Sequence, residues 1–489
     1  MESLVREFLE DYKNNRHPYI AVEKDEKGRL LTEEELVNML TDIEMVWRDN
    51  PDELVSKLVE STIIEYERVR NKYNIPGYIA AVQVGNISVG IFGGKTNSGE
   101  NAIDMPEDAL FDIASMTKLY TQIVAYNLMA KGLFKLTDKV KDIDKRFTEL
   151  DDVTIGDILS FAVAFSTPGR IDDAENSEEA LGRLFGTTIA RDKEGLLLKG
   201  YYNYNDIGMM ILKEVMEEKT KQTLEDLIKQ YILTPLNLTN THLIVPEDKH
   251  HLVTGTSNFE TARVNDPKAN MMVNGYSGHA GVFSAYFDAM KVLRATRSGI
   301  ILPDNHDFIT PGNLYKMDKI RDKNTKALKG IEYTLRNFNA KVGSVFLSDK
   351  GGVNTSWVPN GSPGDSIGTS GSTRVTGIAS LDSSFITMQN VASVPVEEAR
   401  ETIERINEEN RMKGINKIFD LDNARVLKRK IAGKDVDFNF IETKALVDVA
   451  ELENMTNEMG RLTIQLRFLD FIMRKYDRNY EIDYKRRVA

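Results

Sequence analysis

The chain has 489 residues and not one is cysteine. That excludes disulfides, thiol nucleophiles and Cys-ligated zinc, and it suits either redox compartment. Histidine is scarce at six. His250 and His251 are adjacent, so they point apart on a helix or strand and offer no shared metal site. No run approaches the ~18 apolar residues of a membrane span. The opening Met1-Glu2-Ser3-Leu4-Val5-Arg6-Glu7 is charged where a secretory signal would be apolar, so a cytoplasmic address is the expectation. No spacing suggests a metal site and no glycine-rich loop follows a strand, so no nucleotide, cofactor or metal is expected. Basic residues are outnumbered, with 63 Lys+Arg against 75 Asp+Glu and a net charge of −12. That balance argues against a nucleic-acid surface. Apolar residues are not lacking: at 41% they allow a large core, and the length suggests two or three units.

The most informative stretch is Phe111-Asp112-Ile113-Ala114-Ser115-Met116-Thr117-Lys118-Leu119-Tyr120-Thr121. It holds an S-x-x-K, with Ser115 near the start of a helix-compatible run. Residues three apart share a helix face, so Lys118 lies beside the Ser115 hydroxyl. A serine needs a neighbouring base to attack a carbonyl. A lysine serves when burial or positive charge lowers its pKa toward neutral, and this is the expectation for Lys118. The exposed N–H groups of the helix start suit an oxyanion.

A four-residue motif recurs by chance, so two further segments matter. Tyr201-Tyr202-Asn203-Tyr204-Asn205-Asp206 runs into an apolar helix and offers a Y-x-D of Tyr204 and Asp206. A tyrosine beside a lysine cation loses its proton more easily. Asp206 can hydrogen-bond Lys118 or a substrate. Tyr201 and Tyr202 read as pocket lining or core. Gly368-Thr369-Ser370-Gly371-Ser372-Thr373-Arg374 reads as a strand whose small residues admit a ligand backbone at its edge. The Ser372 N–H would be the second oxyanion donor, beside that of Ser115.

The order S-x-x-K, Y-x-D, T-S-G resembles the serine β-lactamase and penicillin-binding-protein superfamily, in its class C-like branch of DD-peptidases, D-aminopeptidases and carboxylesterases. Pro76-Gly77 with Tyr78 to Val84 is similar to the first core strand of that family, and Tyr231 to Leu238 to its helix-to-loop segment. Val264-Asn265-Asp266-Pro267-Lys268-Ala269 and Gly278-His279-Ala280-Gly281-Val282-Phe283-Ser284 are similar to two further stretches. The resemblance covers roughly residues 55 to 392. It implies an α+β fold, an α/β/α sandwich. An antiparallel sheet is built from both chain ends, and a mainly helical subdomain at about 112–335 is inserted. It also implies an acyl-enzyme on Ser115, with Lys118 and Tyr204 catalytic. Ser372, Asp206, Thr369, Ser370 and Gly371 would bind substrate or oxyanion.

The chain departs from the pattern in three places. The third motif usually opens with Lys or His, and Thr369 stands there. Arg374 follows Gly371 by three, which on an extended strand places it on the opposite face. The loop Ile158 to Gly169 lacks the usual His and carries Phe161 and Phe165. Asp206 replaces the usual Asn. These shifts favour an ester or neutral amide over a β-lactam, with a D-aminopeptidase, DD-peptidase or β-lactamase as alternative. A reading from another class is a catalytically inactive binding or assembly module. The expected partner is a small molecule or peptide, with homo-oligomers through the terminal helices as a further option.

The resemblance implies a catalytic unit over 51–413, which leaves a helical extension over 1–50 and an extension over 414–489. Leu4, Phe8 and Tyr12 share one helical face. Thr32-Glu33-Glu34-Glu35 is a capping box ahead of the stripe Leu36, Leu40, Ile43, Trp47. Pro51 opens a helix carrying Leu54, Leu58, Ile63, Tyr66 and Val69, ending near Asn74. Tyr78 to Val84 and Ile87 to Phe92 form a hairpin around Gly85-Asn86. The sheet is expected to resume near 340–347 and 373–391, with a turn at Asp382-Ser383. Two short strands are expected around Gly433-Lys434-Asp435. Ala445 to Tyr476 reads as one amphipathic helix through Leu452, Met455, Met459, Leu462, Leu466 and Leu469. Self-packing or a docking surface would each explain it. The tail cluster Arg474, Lys475, Arg478, Lys485, Arg486 and Arg487 reads as a solvated helix end, His279 as a residue that holds a loop.

Overall fold

The computed structural model describes residues 2–14, 32–159, 161–199, 203–255, 262–297, 300–301, 320–322, 327–329, 340–342, 345–347, 367–379, 383–390, 393–416, 418–419, 428–431, 434–437, 440–442, 446–447, 449–476 and 479–488. Ser160, Tyr201, Tyr202, Asp382, Gly433 and Arg478 lie outside the described residues.

An eight-stranded sheet forms the centre. Its strands are β1 (Gly77–Val84), β2 (Ile87–Gly94), β3 (Ala340–Val342), β4 (Val345–Leu347), β5 (Ile367–Gly371), β6 (Val375–Ala379), β7 (Ser383–Gln389) and β8 (Ile482–Val488). Their order is β3-β4-β5-β6-β7-β1-β2-β8. The first seven pair antiparallel, as expected of a sheet drawn from both chain ends. The β1–β2 hairpin turns through Gly85, whose φ of +52° suits glycine.

Alternation sorts the strand residues onto two cores. Ile79 and Ala81 of β1, with Ile386 and Met388 of β7, enter one apolar cluster. Tyr78, Ala80, Val82 and Val84, with Phe385, enter the other. The first cluster continues into the inserted helical region. There α4 (Thr117–Ala130) packs on α5 (Ile207–Thr220). α6 (Pro267–Met271) is a short helix nearby, and α7 (Tyr286–Arg297) lies on β6 and β7. The second cluster lies under α1 (Glu2–Asn14), α2 (Glu33–Asp49), α3 (Pro51–Tyr73), α8 (Val396–Met412) and α9 (Val449–Lys475). The result is a sheet between two helical layers, an α/β/α sandwich.

The terminal helices form because their apolar spacing meets a surface to bury on. Thr32 and Glu35 make the reciprocal capping box. Leu36, Leu40, Ile43 and Trp47 are all buried. α9 buries Met455, Met459, Leu462, Leu466 and Leu469 against α2, α3 and β1. Aromatic pairs tie the two ends together, with Phe8 and Phe468 centroids 5.2 Å apart and Trp47 and Tyr476 5.3 Å apart. The apolar stripe of α9 is thus self-packed. The expected short strands are present at Lys428–Ile431 and Lys434–Asp437.

One expectation is corrected. Arg474 and Lys475 do end a helix, but Lys485, Arg486 and Arg487 sit on β8, which runs parallel to β2 along the sheet edge. Lys485 pairs with Glu107 at 2.7 Å and Arg487 with Asp104 at 2.9 Å. The charges of the tail mark an edge strand, where lysine and arginine discourage further pairing.

Candidate active site

Backbone constraints from three segments hold Ser115. The strand Phe111–Asp112 pairs with Phe283–Ser284. The chain then turns sharply at Ala114, held at φ +44°, into a short 3₁₀ turn that leads into α4. Left-handed backbone at alanine stores about 1 kcal/mol or more of strain. The Asp112 carboxylate offsets it by accepting the Ala114 N–H at 2.8 Å and the Asn265 N–H at 2.6 Å. Burial pushes the Asp112 carboxyl up to about 6, against the lowering effect of those two N–H groups. The segment around His279 clamps the start of α4. Thr117 Oγ1 accepts the Val282 N–H at 3.1 Å, and Thr121 Oγ1 donates to Gly278 O at 2.8 Å.

One helical turn on, Lys118 is fully buried. Its Nζ donates to Ser115 Oγ at 2.8 Å and to His279 O at 3.4 Å. It also pairs with Asp206 Oδ1 at 2.9 Å. Tyr204 is close, its ring centroid 4.8 Å from the amine. The expectation of a depressed lysine pKa is corrected here. Burial does work to lower it, but the Asp206 carboxylate, with Tyr204 behind it, reverses the direction and raises the pKa. Aspartate in place of asparagine holds the resting amine charged.

The Tyr204 loop owes its place to one backbone amide and one side-chain amide. Asn203 N–H donates to Phe161 O at 2.7 Å and Asn205 Nδ2 to Val163 O at 3.1 Å. Asn205 Oδ1 accepts the Gly208 N–H at 2.8 Å, which starts α5 and presents Asp206. The Tyr204 ring is exposed on one side and rests 5.0 Å from the buried Phe161 ring. The loop without the usual histidine thus packs the buried Phe161 ring against Tyr204, while Phe165 is half-buried.

Three titratable residues that the motifs did not single out complete the cluster. Lys268 Nζ reaches Asp206 Oδ2 at 3.2 Å and Asp266 Oδ2 at 3.3 Å. Asp266 caps α6, its Oδ1 accepting the N–H groups of Lys268 and Ala269 and meeting His279 Nε2 at 2.9 Å. Burial acts to raise the pKa of both carboxyls. His279 and the two ammonium groups outweigh it at Asp206, and His279 and Lys268 do so at Asp266, holding both well below the usual range. Asp206, Asp266 and His279 present donor atoms within 4.8 Å of one another. The ammonium groups of Lys118 and Lys268 already take the carboxylate oxygens a metal ion would need. The signal for these residues was in the N-D-P-K-A and G-H-A-G stretches, read as landmarks and not as charges. His279 holds a loop, as expected, and also belongs to this ionic cluster.

The end of β5 closes the site. A Cβ at Gly371 would come within 2.2 Å of Ile113 O, so only glycine lets this strand lie against the nucleophile turn. Ser372 follows in an exposed turn, and Thr373 Oγ1 donates to Asp112 O at 2.5 Å. Thr369 and Ser370 lie on β5, and their side chains are outside the described residues. The strand geometry expected of Arg374 is corrected. Its N–H donates to Gly371 O at 3.1 Å and its φ is +67°, so it belongs to the β5–β6 turn, where alternation of faces does not apply.

A family model described as Beta-lactamase matches residues 52–378. A putative D-alanyl-D-alanine carboxypeptidase of Escherichia coli (strain K12) is 25% identical over 41% of this chain and 53% of its own. Penicillin-binding protein 4 of Amycolatopsis lactamdurans is 24% identical over 37% of this chain and 48% of its own. The chain thus spans about half the length of the curated relatives it matches. Among solved structures, a class C beta-lactamase superposes with a TM-score of 0.52 at 15% identity, over 71% of this chain and 94% of that one. EstCE1, titled a hydrolase with promiscuous acyltransferase activity, gives 0.51 at 14% identity, over 69% and 94%. Among the described residues no helix is long and apolar enough to cross a membrane.

Proposed function

The chain belongs to the beta-lactamase family, within the serine β-lactamase and penicillin-binding-protein superfamily, and from that premise we propose that it is a serine hydrolase that forms an acyl-enzyme on Ser115. The observation that carries this is the Lys118 amine, shut from solvent and 2.8 Å from Ser115 Oγ. The resting ammonium polarises the hydroxyl. The reactive form has lost one proton from the Lys118–Tyr204 pair. That pair takes the Ser115 proton as Oγ bonds to the carbonyl carbon, then returns it to the leaving oxygen or nitrogen as the tetrahedral adduct collapses. The N–H groups of Ser115 and Ser372 hold the oxyanion, each worth about 3 kcal/mol of barrier. Water, activated by the same pair, releases the acyl group.

The substrate is an ester or neutral amide. Thr369 brings no cation to meet a free carboxylate, the site carries the extra charge of Asp206, and the exposed Tyr204 ring, backed by the buried Phe161, offers an aromatic face. A D-amino-acid peptide is the second reading, favoured by the names of the curated relatives. Residues 51–413 form the catalytic unit, with 1–50 and 414–489 as supporting segments. An assembly module without activity would have no use for a buried lysine on a serine.

Mass spectrometry after a neutral fluorophosphonate should show one adduct on Ser115, absent in Ser115→Ala. An adduct elsewhere, or none, removes the proposal. A panel of p-nitrophenyl esters, D-Ala amides and nitrocefin should rank esters first, and turnover of D-Ala amides alone would favour the second reading.

A further inference from the structure

Beyond the three motifs, the site contains a second, half-buried ammonium that no motif supplies, and its position gives it a task. Starting from Ser115, ammonium and carboxylate groups alternate along one path, Lys118, Asp206, Lys268 and Asp266, which ends on the His279 imidazole. Asp206 is shared, its Oδ1 on Lys118 at 2.9 Å and its Oδ2 on Lys268 at 3.2 Å. Asp266 is shared in turn, its Oδ2 on Lys268 at 3.3 Å and its Oδ1 on His279 at 2.9 Å. Lys268 is therefore the bridge between the carboxylate that faces the reacting pair and a second carboxylate fixed as the cap of α6.

We propose that Lys268 is a positioning residue that divides the charge of Asp206, so that Lys118 can give up a proton beside Ser115. The inference rests on the reading of Lys118 as part of the proton-accepting pair. With Lys268 absent, Asp206 would set an unshared negative charge against Lys118 and lock the ammonium. With Lys268 present, the same carboxylate is half neutralised from its far side, and a second positive charge stands near the first. Both effects make deprotonation of Lys118 easier. Asp266 keeps Lys268 from swinging away, and His279 shares Asp266 in the same manner. The groups facing Lys118 are Ser115 in the turn before its helix, Tyr204 and Asp206 in the loop that leads into α5, Lys268 and Asp266 on α6 and its cap, and His279 from the following loop. Asp112 lies on the neighbouring strand, with both oxygens taken by backbone N–H groups. Among these, Lys268 bears a positive charge, faces Asp206 and does not touch Ser115, so it tunes the site without doing its chemistry. The position that carries a motif cation in the family holds Thr369 here, and α6 provides an ammonium from another part of the chain.

The test is the rate of Ser115 phosphonylation by a neutral fluorophosphonate from pH 5 to 10, for the unmutated chain, K268Q, K268M and K268R. The two uncharged variants should move the ascending limb alkaline by about one pH unit, so that rates below the limb fall about tenfold while the alkaline plateau is kept. K268R, which restores the charge, should return the limb to its original pH. A uniform rate loss with the limb unmoved in K268Q and K268M would mean that Lys268 only props up the fold, and would overturn the inference while leaving Ser115 as the nucleophile. Absence of any Ser115 adduct in the unmutated chain would instead overturn the acyl-enzyme reading, and this inference with it. K268M keeps the apolar stem, so a failure of K268Q to fold does not stop the test.

Discussion

At the scale of single residues, two aspartates near Ser115, the buried Asp112 and the half-buried Asp206, show how neighbours decide charge. Asp112 meets two backbone N–H groups and, among the described residues, no cation at hydrogen-bond distance, so burial wins and its carboxyl rises from 3.8 to about 6. Asp206 has His279 and two ammonium groups beside it, so burial loses. The rise at Asp112 has a signed consequence for stability. Below the unfolded value of 3.8 both states hold the proton, and the folded state keeps its full advantage. Between that value and about 6 the unfolded chain ionises first, so the contribution falls with rising pH, by about 3 kcal/mol in all. Asp112→Asn cannot titrate. The melting temperature of the unmutated protein minus that of Asp112→Asn should therefore shrink from about pH 4 to about pH 7. A difference that stays flat across that window would mean that Asp112 is ionised throughout.

At the scale of elements, the site depends on how closely β5 approaches the turn before α4. The contact is backbone against backbone at Gly371 and Ile113, where a built Cβ would stand 2.2 Å from the carbonyl oxygen. Gly371→Ala should force β5 away and with it the Ser372 N–H. A lost oxyanion donor costs about 10²-fold in kcat, so a fall of that order is expected, with far-UV circular dichroism unchanged. Full activity in that variant would take Ser372 out of the oxyanion role. The order S-x-x-K, Y-x-D, T-S-G pointed to these elements. The approach distance was not legible, because nothing local to Gly371 says which backbone lies against it. The ionic role of Lys268 was hidden for the same reason. Its partner Asp206 begins a different helix, and Lys268 by itself reads as an ordinary basic residue in a short helix.

At the scale of the whole molecule, the two chain ends and the sheet share one apolar cluster. The sheet edge at β2 is covered by β8, whose parallel register runs from Ile482 opposite Ile87 to Val488 opposite Gly93. Removing residues 481–489 would bare the N–H and C=O groups of β2, an aggregation-prone edge. Light scattering should rise on warming and the melting temperature should fall. The Ser115 phosphonylation rate of the folded fraction should be unchanged, since β2 and the Ser115 turn lie on separate elements. An equal fall in that rate would show that the edge strand supports the site directly.

The amphipathic stripes of α2, α3 and α9, the β1–β2 hairpin and the three-residue step from Ser115 to Lys118 were determined by the sequence alone. Each depends on residues close in the chain, where helix and strand periods fix which side chains meet. The tertiary structure alone decided the charge on Lys118, the bridge made by Lys268 and the pairing of β8 on β2. Coulomb forces and strand pairing act through space, between residues that only the completed fold brings within a few ångströms of each other.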